Sequence, residues 1–399
     1  MTTASLDAGQ ETQMAILALL ARAEMSRATI ARELDLSSAT VTHITRKLIK
    51  QGLIRPLSFS PSDGGRPGQL LGLVGGAGYA IGVKLAADHL VLVDVRLDGK
   101  VRASKEQAFD ARARDAKENL RQSLEAMSHQ GSGRLLGIGI GVPGIITDPD
   151  LGIVDSAILG WSQHSLGAYL RETMQVPVLI ENDVNALAIA EHVYGSAQNI
   201  PNFAVLTVGS GVGFAHFTHG SLSRGSHGAA GEIGHILIEN DGRKCYCGKR
   251  GCLEGYIGEA GLVQTARNLG TLTSSQGIDV LIDKADHGHD GARVVFHDAG
   301  RLLASVVAPI LTILDPDVLI IAGEGTRAWS HWDDAFRDAL LESVPTPLTR
   351  TSIVVEASGE PNWAHGAAAI VLATPFDPNS VAGFQRTAVL ARLHITEDA

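Results

Sequence analysis

Cysteine is scarce in this sequence: three of its 399 residues are cysteine, and all three lie between positions 245 and 252. An odd count argues against a disulfide framework and fits a reducing compartment. The sequence also lacks an apolar run of roughly 18 residues without a charge, which argues against a membrane span or a membrane partner. Its start has no basic stretch followed by an apolar core, so we expect no signal peptide and a cytoplasmic protein.

Positive charge is also scarce overall, since the net charge is -10, but it is unevenly distributed. Residues 25–70 contain seven basic and three acidic residues, so this segment is +4 and the remainder is -14. A basic head on an acidic body is typical of a small DNA reader attached to a larger sensor. A small basic surface patch without DNA is the alternative. The length allows two or three domains.

Residues 11–52 contain three amphipathic helical patterns. The first covers Glu11 to Ala23, the second begins after Ser26, and the third begins after Ser37 and ends before Gly52. Serine is a favoured residue just before a helix, and glycine just after one. A helix, a short turn and a capped second helix predict a helix-turn-helix.

The third helix shows polar and cationic side chains on its solvent face, which suit base edges and phosphates. The DNA-contacting residues that we expect there are Ser38, Thr42, His43, Arg46 and Lys47. Two strand-like stretches follow, separated by "PSDGGRPG", which predicts a winged helix. Arg66, at the tip of this wing, is placed to enter a minor groove. A three-helix packing module that does not bind DNA is the alternative.

After the linker "VGGAG" (residues 74–78), the body repeats one pattern twice. Three strand-like stretches, a helix from Asp115 to His129, the strand "LLGIGIGV", a helical region and the strand "VPVLIEND" follow in order. A similar succession starts again at Phe203. The repetition predicts two α/β lobes with a cleft between them. Glycine-rich turns, "GVPG", "GSGVG" and "AGEG", follow three of the strands, where such sheets bind ligands.

These motifs, together with "ENDVNA", "GEIGH" and above all "CYCGKRGCLE", resemble the ROK family, which groups bacterial sugar kinases with sugar-responsive repressors. The head resembles the winged helix of the repressor branch. The resemblance implies an α/β fold, with a winged helix-turn-helix followed by a two-lobed actin-like or ribonuclease H-like domain. We expect a DNA-binding domain at 1–74, a first lobe at 79–200 completed by helices in 361–399, and a second lobe at 201–360.

The cysteines fit a metal site. Zinc prefers four tetrahedral thiolate or imidazole ligands. We expect Cys245, Cys247 and Cys252 to supply three ligands and His235 the fourth, holding one structural zinc ion per chain. Redox pairing or simple burial of the cysteines is the alternative.

The resemblance also implies a sugar site. Glu232, His235 and Glu254 would approach the sugar hydroxyls from one side, with one ring nitrogen of His235 on zinc and the other on the sugar. The opposite wall would be Asn182 and Asp183. In the kinases the matching aspartate is the general base, whereas here it would be vestigial and accept hydrogen bonds. Its alternative role is that of a helix N-cap. Gly144 should allow the sugar ring to approach the backbone.

Several residues depart from the kinase pattern. Lys84 stands where the kinases have an aspartate, Ala86 and Ala87 where they have glycines, and Asp88 where they have threonine. Side-chain methyl groups obstruct the approach of a phosphate to the backbone. Phe214 and Glu324 interrupt two further glycine motifs, so we expect no ATP binding.

Ile158 replaces an asparagine of many relatives, which suggests an effector that is smaller or less hydroxylated than glucose. We therefore expect a repressor, a homodimer or homotetramer on an inverted-repeat operator, controlled by a sugar or sugar derivative. The alternatives are a sugar kinase with an added DNA-binding domain and a repressor controlled by a protein partner.

Overall fold

The computed structural model describes residues 8–59, 68–131, 133–357, 359–376 and 383–395. The chain forms two compact units. The first unit comprises Met1–Tyr194 and Pro361–Ala399, and the second comprises Gly195–Glu360.

The head of the first unit has three helices and three short strands. They are α1 (Ala8–Arg22), β1 (Met25–Ser26), α2 (Arg27–Glu33), α3 (Ser38–Lys50), β2 (Ile54–Phe59) and β3 (Gln69–Leu73), with strand order β1-β3-β2. The predicted caps are confirmed: the hydroxyls of Ser26 and Ser37 accept hydrogen bonds from the backbone N–H groups of Thr29 and Thr40, both at 3.1 Å. The two-residue strand β1 was not predicted, because two residues carry no period. The predicted wing tip, including Arg66, lies outside the described residues.

The connection after the head is packed. Gly75 starts a 3-10 turn (Gly75–Ala77) and is buried, and a Cβ atom there would lie 2.1 Å from the Asp98 carboxylate. The Val74 N–H donates to the Leu53 carbonyl at 2.8 Å, and the Leu97 N–H donates to the Gly75 carbonyl at 3.0 Å. The predicted linker therefore joins the head to the body through fixed hydrogen bonds.

The first lobe follows. Its elements are β4 (Tyr79–Leu85), β5 (His89–Arg96), β6 (Val101–Ala108), α4 (Ala116–Gln130), β7 (Leu135–Val142), β8 (Ile145–Asp148), β9 (Ile153–Ser156), β10 (Trp161–Ser165), α5 (Leu166–Met174), β11 (Val178–Asn182) and α6 (Asp183–Val193). The main sheet has the order β11-β7-β4-β5-β6, and β8 to β10 form a small separate sheet. The helical region predicted after β7 is wrong in its first half. Gly152 and Gly160, at φ +66° and +72°, turn the chain between short strands there.

The second unit repeats this plan. Its elements are β12 (Phe203–Val208), β13 (Val212–Thr218), β14 (Ser221–Leu222), α7 (Glu254–Ile257), α8 (Glu259–Asn268), α9 (Ile278–Asp286), α10 (Asp290–Leu314), β15 (Val318–Ala322), α11 (Asp333–Ser343) and β16 (Ser352–Val355). The order β14-β13-β12-β15-β16 matches that of the first sheet, with antiparallel pairs at one edge and parallel pairs at the other. The predicted doubling is confirmed.

Helix α10 is long and apolar enough to cross a membrane by length and composition alone. Its most apolar stretch is 56% buried inside the protein, and Phe296, Leu303 and Leu311 belong to the core of the second unit. Burial of this kind is typical of the central helix of a folded domain. We therefore interpret α10 as a core helix.

The chain ends with α12 (Glu360–Leu372) and α13 (Arg386–Arg392). Helix α12 packs closely on the first lobe, since a Cβ atom at Gly82 would lie 2.0 Å from the Ala364 carbonyl oxygen. After α13, the His394 carbonyl accepts a hydrogen bond from the side chain of Gln51, the residue that follows α3, at 2.8 Å. Arg392 donates to the Leu135 carbonyl at 2.8 Å, at the start of β7. The C-terminal segment thus contacts both the head and the first lobe.

Candidate functional site

In the first unit, Asn182 and Asp183 lie where β11 ends and α6 begins. The Asn182 Oδ1 accepts hydrogen bonds from the N–H groups of Val184 and Asn185 at 2.9 and 3.1 Å, so Asn182 is the N-cap. Asp183 is the first residue of the helix, and its Oδ1 accepts from Val184 at 2.9 Å. A carboxylate is favoured at this position by the partial positive charge of the helix N-terminus. Capping, which was the alternative role proposed for Asp183, belongs mainly to Asn182.

Gly144 is fixed by its neighbours. Its φ is +151°, and a Cβ atom would lie 2.5 Å from the Asp155 carbonyl oxygen in β9. The Gly144 carbonyl accepts a hydrogen bond from the Asn182 side chain at 3.1 Å. The missing side chain therefore makes room for β9, and the glycine is required by the fold whether or not a sugar ring approaches it.

Sequence reasoning missed Glu181, whose side chain organises this corner. Glu181 is 3% exposed, and its Oε1 accepts hydrogen bonds from the Asn182 N–H and the Asn185 side chain, both at 3.0 Å. A charged residue inside a buried strand needs such partners, because an unpaired buried charge is costly. Its position directly after the apolar run "VPVLI" could have indicated a buried glutamate at the end of this strand. Ile158, the other residue noted in this unit, is 36% exposed.

In the second unit, Glu232, His235 and Glu254 come together around the 3-10 turn at Ile233–His235. The Glu232 Oε2 and His235 Nε2 are 3.7 Å apart, and a Cβ atom at Gly234 would lie 3.2 Å from the Glu254 carboxylate. Glu254 Oε2 accepts a hydrogen bond from the Val212 N–H at 3.2 Å. This cluster offers two carboxylates and one imidazole nitrogen, the groups that bind sugar hydroxyls.

Burial controls the acidity of the two glutamates. Burial raises the pKa of Glu254 to about 7, opposed by the hydrogen bond from Val212 and reinforced by the nearby Glu232. Burial also raises the pKa of Glu232. Carboxyl groups that titrate nearer to neutral pH can both accept and donate hydrogen bonds. Such groups suit a polyhydroxylated ligand.

His235 and the three cysteines form a cluster that can hold a metal ion, since their ligand atoms all lie within 4.8 Å of one another. The Cys247 and Cys252 sulfurs are 3.7 Å apart, and the Cys245 sulfur is 3.6 Å from His235 Nδ1. Metal–sulfur bonds of about 2.3 Å in a tetrahedron place ligand atoms about 3.8 Å apart. The four side chains therefore fit a tetrahedral metal ion, with Nδ1 of His235 directed towards it.

The chain around this cluster is held by tight turns. The Cys245 N–H donates to the Lys249 carbonyl at 2.9 Å. Gly248 and Gly251 have φ values of +90° and +78°, which favour glycine, and a Cβ atom at Gly251 would lie 1.7 Å from the Glu239 carbonyl oxygen. The run "CYCGKRGC" therefore needs its glycines as well as its cysteines.

The glycine motif "GSGVG" of the second unit is flanked by carboxylates. A Cβ atom at Gly209 would lie 2.3 Å from Glu324 Oε2, and one at Gly211 would lie 2.9 Å from Glu254 Oε2. The Glu324 carboxylate beside Gly209 disfavours a phosphate, which otherwise binds backbone N–H groups of this kind, whereas Glu254 is part of the proposed sugar site. This arrangement agrees with the expectation that Glu324 disfavours ATP.

The matching turn of the first unit is also altered. Lys84 lies in β4, with its ammonium 5.1 Å from the centre of the Trp363 ring. The Ala86 N–H donates to the His89 carbonyl at 3.0 Å, and the Ala87 carbonyl accepts from Ala111 at 2.9 Å. The Ala86 N–H is therefore engaged within the protein, and the methyl groups of Ala86 and Ala87 stand where the resemblance to the kinases implies glycines, which disfavours the approach of a phosphate to this turn.

The predicted DNA-contacting face of α3 is largely exposed. Ser38, His43 and Arg46 are exposed, while Thr42 and Lys47 are half-buried. The Thr42 hydroxyl donates to the Ser38 carbonyl at 2.7 Å, so its oxygen remains able to accept. Sequence reasoning missed Thr45, a fully buried residue whose hydroxyl accepts a hydrogen bond from Arg27 Nε at 2.8 Å. That bond fixes α2 against α3.

Comparisons with known proteins agree with the predictions for the N-terminal head and for the body of the chain. A profile of winged helix-turn-helix DNA-binding domains matches residues 10–55, and the ROK family profile matches residues 80–374. The chain is 29% identical to the xylose repressor of Bacillus subtilis (strain 168) over 336 residues, which cover 83% of this chain and 82% of that protein. It is 31% identical to the DNA-binding transcriptional dual regulator NagC of Escherichia coli (strain K12) over 323 residues, covering 76% and 78%.

The fold has a counterpart among solved structures. The crystal structure of a ROK family transcriptional regulator, a homolog of the E. coli MLC protein, superposes with a TM-score of 0.81 at 23% identity, covering 96% of this chain and 98% of that one. At this identity the likeness concerns the fold. Because the family profile spans most of the sequence, the chain belongs to the ROK family and carries an N-terminal winged helix-turn-helix.

Proposed function

We propose that this protein is a transcriptional repressor, and not an enzyme, whose affinity for operator DNA is controlled by a sugar or sugar derivative. One observation supports the proposal: a single chain combines a winged helix-turn-helix with two carboxylates and an imidazole grouped around one turn, while Ala86, Ala87 and Glu324 occupy the turns where a phosphate would bind. Such a site can bind a sugar but has no place for a phosphoryl donor. Its output is therefore conformational and acts in the cytoplasm, where the operator lies.

The proposed effector contacts are Gly144, Asn182 and Asp183 in the first unit and Glu232, His235 and Glu254 in the second. Asp183 accepts hydrogen bonds from sugar hydroxyls. It is vestigial as a general base, because the proposed site binds no phosphoryl donor. D-xylose and N-acetyl-D-glucosamine are the first candidates, since two relatives are named xylose repressor and N-acetylglucosamine repressor. The half-exposed Ile158 favours an effector with one polar contact fewer than glucose.

The metal proposed for the His235 cluster is zinc, one ion per chain. Three thiolates and one imidazole form a common structural zinc set, and soft sulfur ligands select against calcium and magnesium. When bound, zinc holds the loop of Glu254 to the turn of Glu232. Its role is structural because the four protein ligands complete the tetrahedron.

The proposed DNA contacts are Ser38, Thr42, His43, Arg46, Lys47 and Arg66. Winged helices of this kind usually pair on two-fold symmetric sites, so the active form is a homodimer or homotetramer on an inverted repeat. The domain boundaries proposed from the sequence are 1–74, 79–200 with 361–399, and 201–360. Effector binding releases the operator, with a coupling of typically 1–3 kcal/mol, or about 5- to 150-fold in affinity.

The experiment is operator binding with and without sugar. The operator is selected from random DNA with the purified protein, and binding is then measured with D-xylose, D-glucose or N-acetyl-D-glucosamine. We expect one sugar to weaken binding of the wild type, and Asp183→Ala to bind the operator normally but ignore the sugar. Asp334→Ala, at an exposed aspartate in the first turn of α11 and outside the proposed contacts, is the matched control. An Asp183→Ala protein that still releases DNA contradicts the proposal, as does sugar-dependent ATP consumption.

A second arm tests the head. Arg66→Ala should weaken operator binding by about 1–3 kcal/mol, and His43→Ala should change the preferred bases. Arg55→Ala, on strand β2, is a control of equal charge change. Wild-type affinity of Arg66→Ala at physiological salt contradicts the wing assignment.

A further inference from the structure

The tyrosine between two of the metal-binding cysteines makes a contact that the proposed function leaves unexplained. The Tyr246 hydroxyl lies 3.1 Å from His235 Nε2, and the two rings meet edge to face with centres 5.2 Å apart. The opposite ring nitrogen, Nδ1, faces the Cys245 sulfur at 3.6 Å. Tyr246 therefore contacts the nitrogen of His235 that is directed away from the metal cluster.

The chemistry of a metal-bound imidazole fixes the direction of this hydrogen bond. A histidine that binds a metal through Nδ1 keeps its proton on Nε2, which then donates. The Tyr246 oxygen must accept. Among the described residues, the Glu232 carboxylate is the other candidate acceptor, but at 3.7 Å it is too far for a direct hydrogen bond. The one proton of His235 Nε2 is thus taken by Tyr246.

The same proton is the one that the proposed function assigns to a sugar hydroxyl. A single N–H group makes one strong hydrogen bond, so tyrosine and effector cannot both hold it at full strength. We propose that the Tyr246 hydroxyl competes with the effector for His235 Nε2, so that Tyr246 sets the sugar concentration at which the protein responds. This inference rests on the proposed function, because it requires that His235 binds the sugar.

The surroundings of Tyr246 allow it to move aside. Its backbone lies between Cys245 and Cys247 in a tight turn, whereas the residue as a whole is 49% exposed. A half-exposed ring can rotate into solvent without opening a core cavity, so displacement costs mainly the hydrogen bond to His235. A typical net hydrogen bond corresponds to a factor of about 2 to 12 in an equilibrium constant. Tyr246 should therefore weaken effector binding by a similar factor.

The test is calorimetric titration of the full-length, zinc-loaded protein with D-xylose, D-glucose and N-acetyl-D-glucosamine. Tyr246→Phe retains the ring and removes the competing oxygen, so we expect it to bind the effector about fivefold more tightly than the wild type, with equal zinc content. Tyr256→Phe is the matched control. The Tyr256 hydroxyl contacts Glu239 and the Arg243 N–H, and its removal should leave sugar affinity unchanged.

The possible results separate this inference from the proposed function. Sugar binding that appears only in Tyr246→Phe also supports competition. Equal or weaker binding by Tyr246→Phe, in a protein whose sugar binding is lost in Glu232→Gln, overturns the competition and leaves the sugar site standing. Sugar binding that Glu232→Gln does not affect, or no binding by either protein, overturns the proposed site and the inference together.

Discussion

The residues proposed to bind sugar and the turns that would bind phosphate differ in how many hydrogen bonds they contribute to the fold. Asn182 caps a helix and donates a hydrogen bond to the Gly144 carbonyl, and Glu254 accepts one from the Val212 N–H. The turns that would bind phosphate, in contrast, contain Lys84, Ala86 and Ala87 in the first unit and have the Glu324 carboxylate beside Gly209 in the second.

This difference agrees with the proposal of a ROK protein that binds a sugar and not ATP. A residue with both a structural and a binding role is retained by the demands of folding alone. A glycine that only gives a phosphate access to the backbone does not contribute to the stability of the fold in this way. The comparison therefore predicts large effects of substitutions on the sugar side and small effects on the phosphate side.

The largest effect should come from the metal cluster. Cys247→Ser removes one of four ligands, and because metal binding is coupled to local folding, we expect loss of zinc and a decrease in the free energy of unfolding of roughly 3 kcal/mol or more. Metal analysis should find one zinc ion per wild-type chain and much less in the variant. Sugar binding should disappear with the metal, since His235 is a proposed ligand and Glu254 follows the proposed ligand Cys252 by two residues.

Lys249→Ala is the control for this experiment, because Lys249 lies in the same turn and supplies no ligand. It should retain zinc and stability. A wild-type protein without zinc, or a Cys247→Ser protein of unchanged stability, would show that the cluster is not a metal site.

The next effect separates the structural and binding roles of neighbouring residues. Asn182→Ala loses both capping bonds and the bond to Gly144, and should cost about 1–2 kcal/mol of stability. Asp183→Asn keeps the shape and should cost at most about 1 kcal/mol, the favourable charge at the helix N-terminus, yet abolish the response to sugar. Chemical denaturation and calorimetry measure the two quantities. Equal stability losses would mean that the charge of Asp183 stabilises the helix as much as the hydrogen bonds of Asn182 do.

Local patterns in the sequence predicted several features that the structure shows. Ser26 and Ser37 marked the helices of the head because capping depends on adjacent residues, and the cysteine spacing marked a cluster that can hold a metal ion because the three cysteines lie within one short turn. The repeated strand pattern predicted two lobes of like topology. Each of these signals is contained in a short stretch of chain.

Contacts between distant segments could not be predicted in this way. Gln51 and His394 are 343 positions apart, and no periodicity links them. The close approach of β9 to Gly144 depends on the three short strands β8 to β10. The sequence pattern had predicted a helical region in their place. Tyr246 sits inside the most recognisable motif of the chain, but its contact with His235 depends on a side-chain torsion.

On the phosphate side, Lys84→Met removes the ammonium that lies over Trp363 and should lower the free energy of unfolding by about 0.5–1 kcal/mol. Thermal unfolding checks this value, with the exposed Lys105→Met as the control. ATP consumption should stay at the background level in both variants, because the methyl groups of Ala86 and Ala87 remain. Detectable turnover in Lys84→Met would mean that the lysine alone blocks the nucleotide.

The smallest effect, and the sharpest comparison, comes from the two glutamates beside the same glycine turn. Glu254 accepts the Val212 N–H and belongs to the proposed sugar site, whereas Glu324 lies over Gly209 on the phosphate side. Glu324→Gln should change stability by less than about 0.5 kcal/mol and leave sugar affinity unaltered, since a neutral amide of the same shape fills the same space. Glu254→Gln should weaken sugar binding, because an amide N–H must then replace a carboxylate oxygen at the hydroxyls or at Val212. Calorimetry on the two variants under one set of conditions measures the contrast. If Glu324→Gln loses sugar binding as Glu254→Gln does, then Glu324 also contributes to effector binding. The proposed separation between sugar-binding residues and phosphate-binding turns would then be wrong.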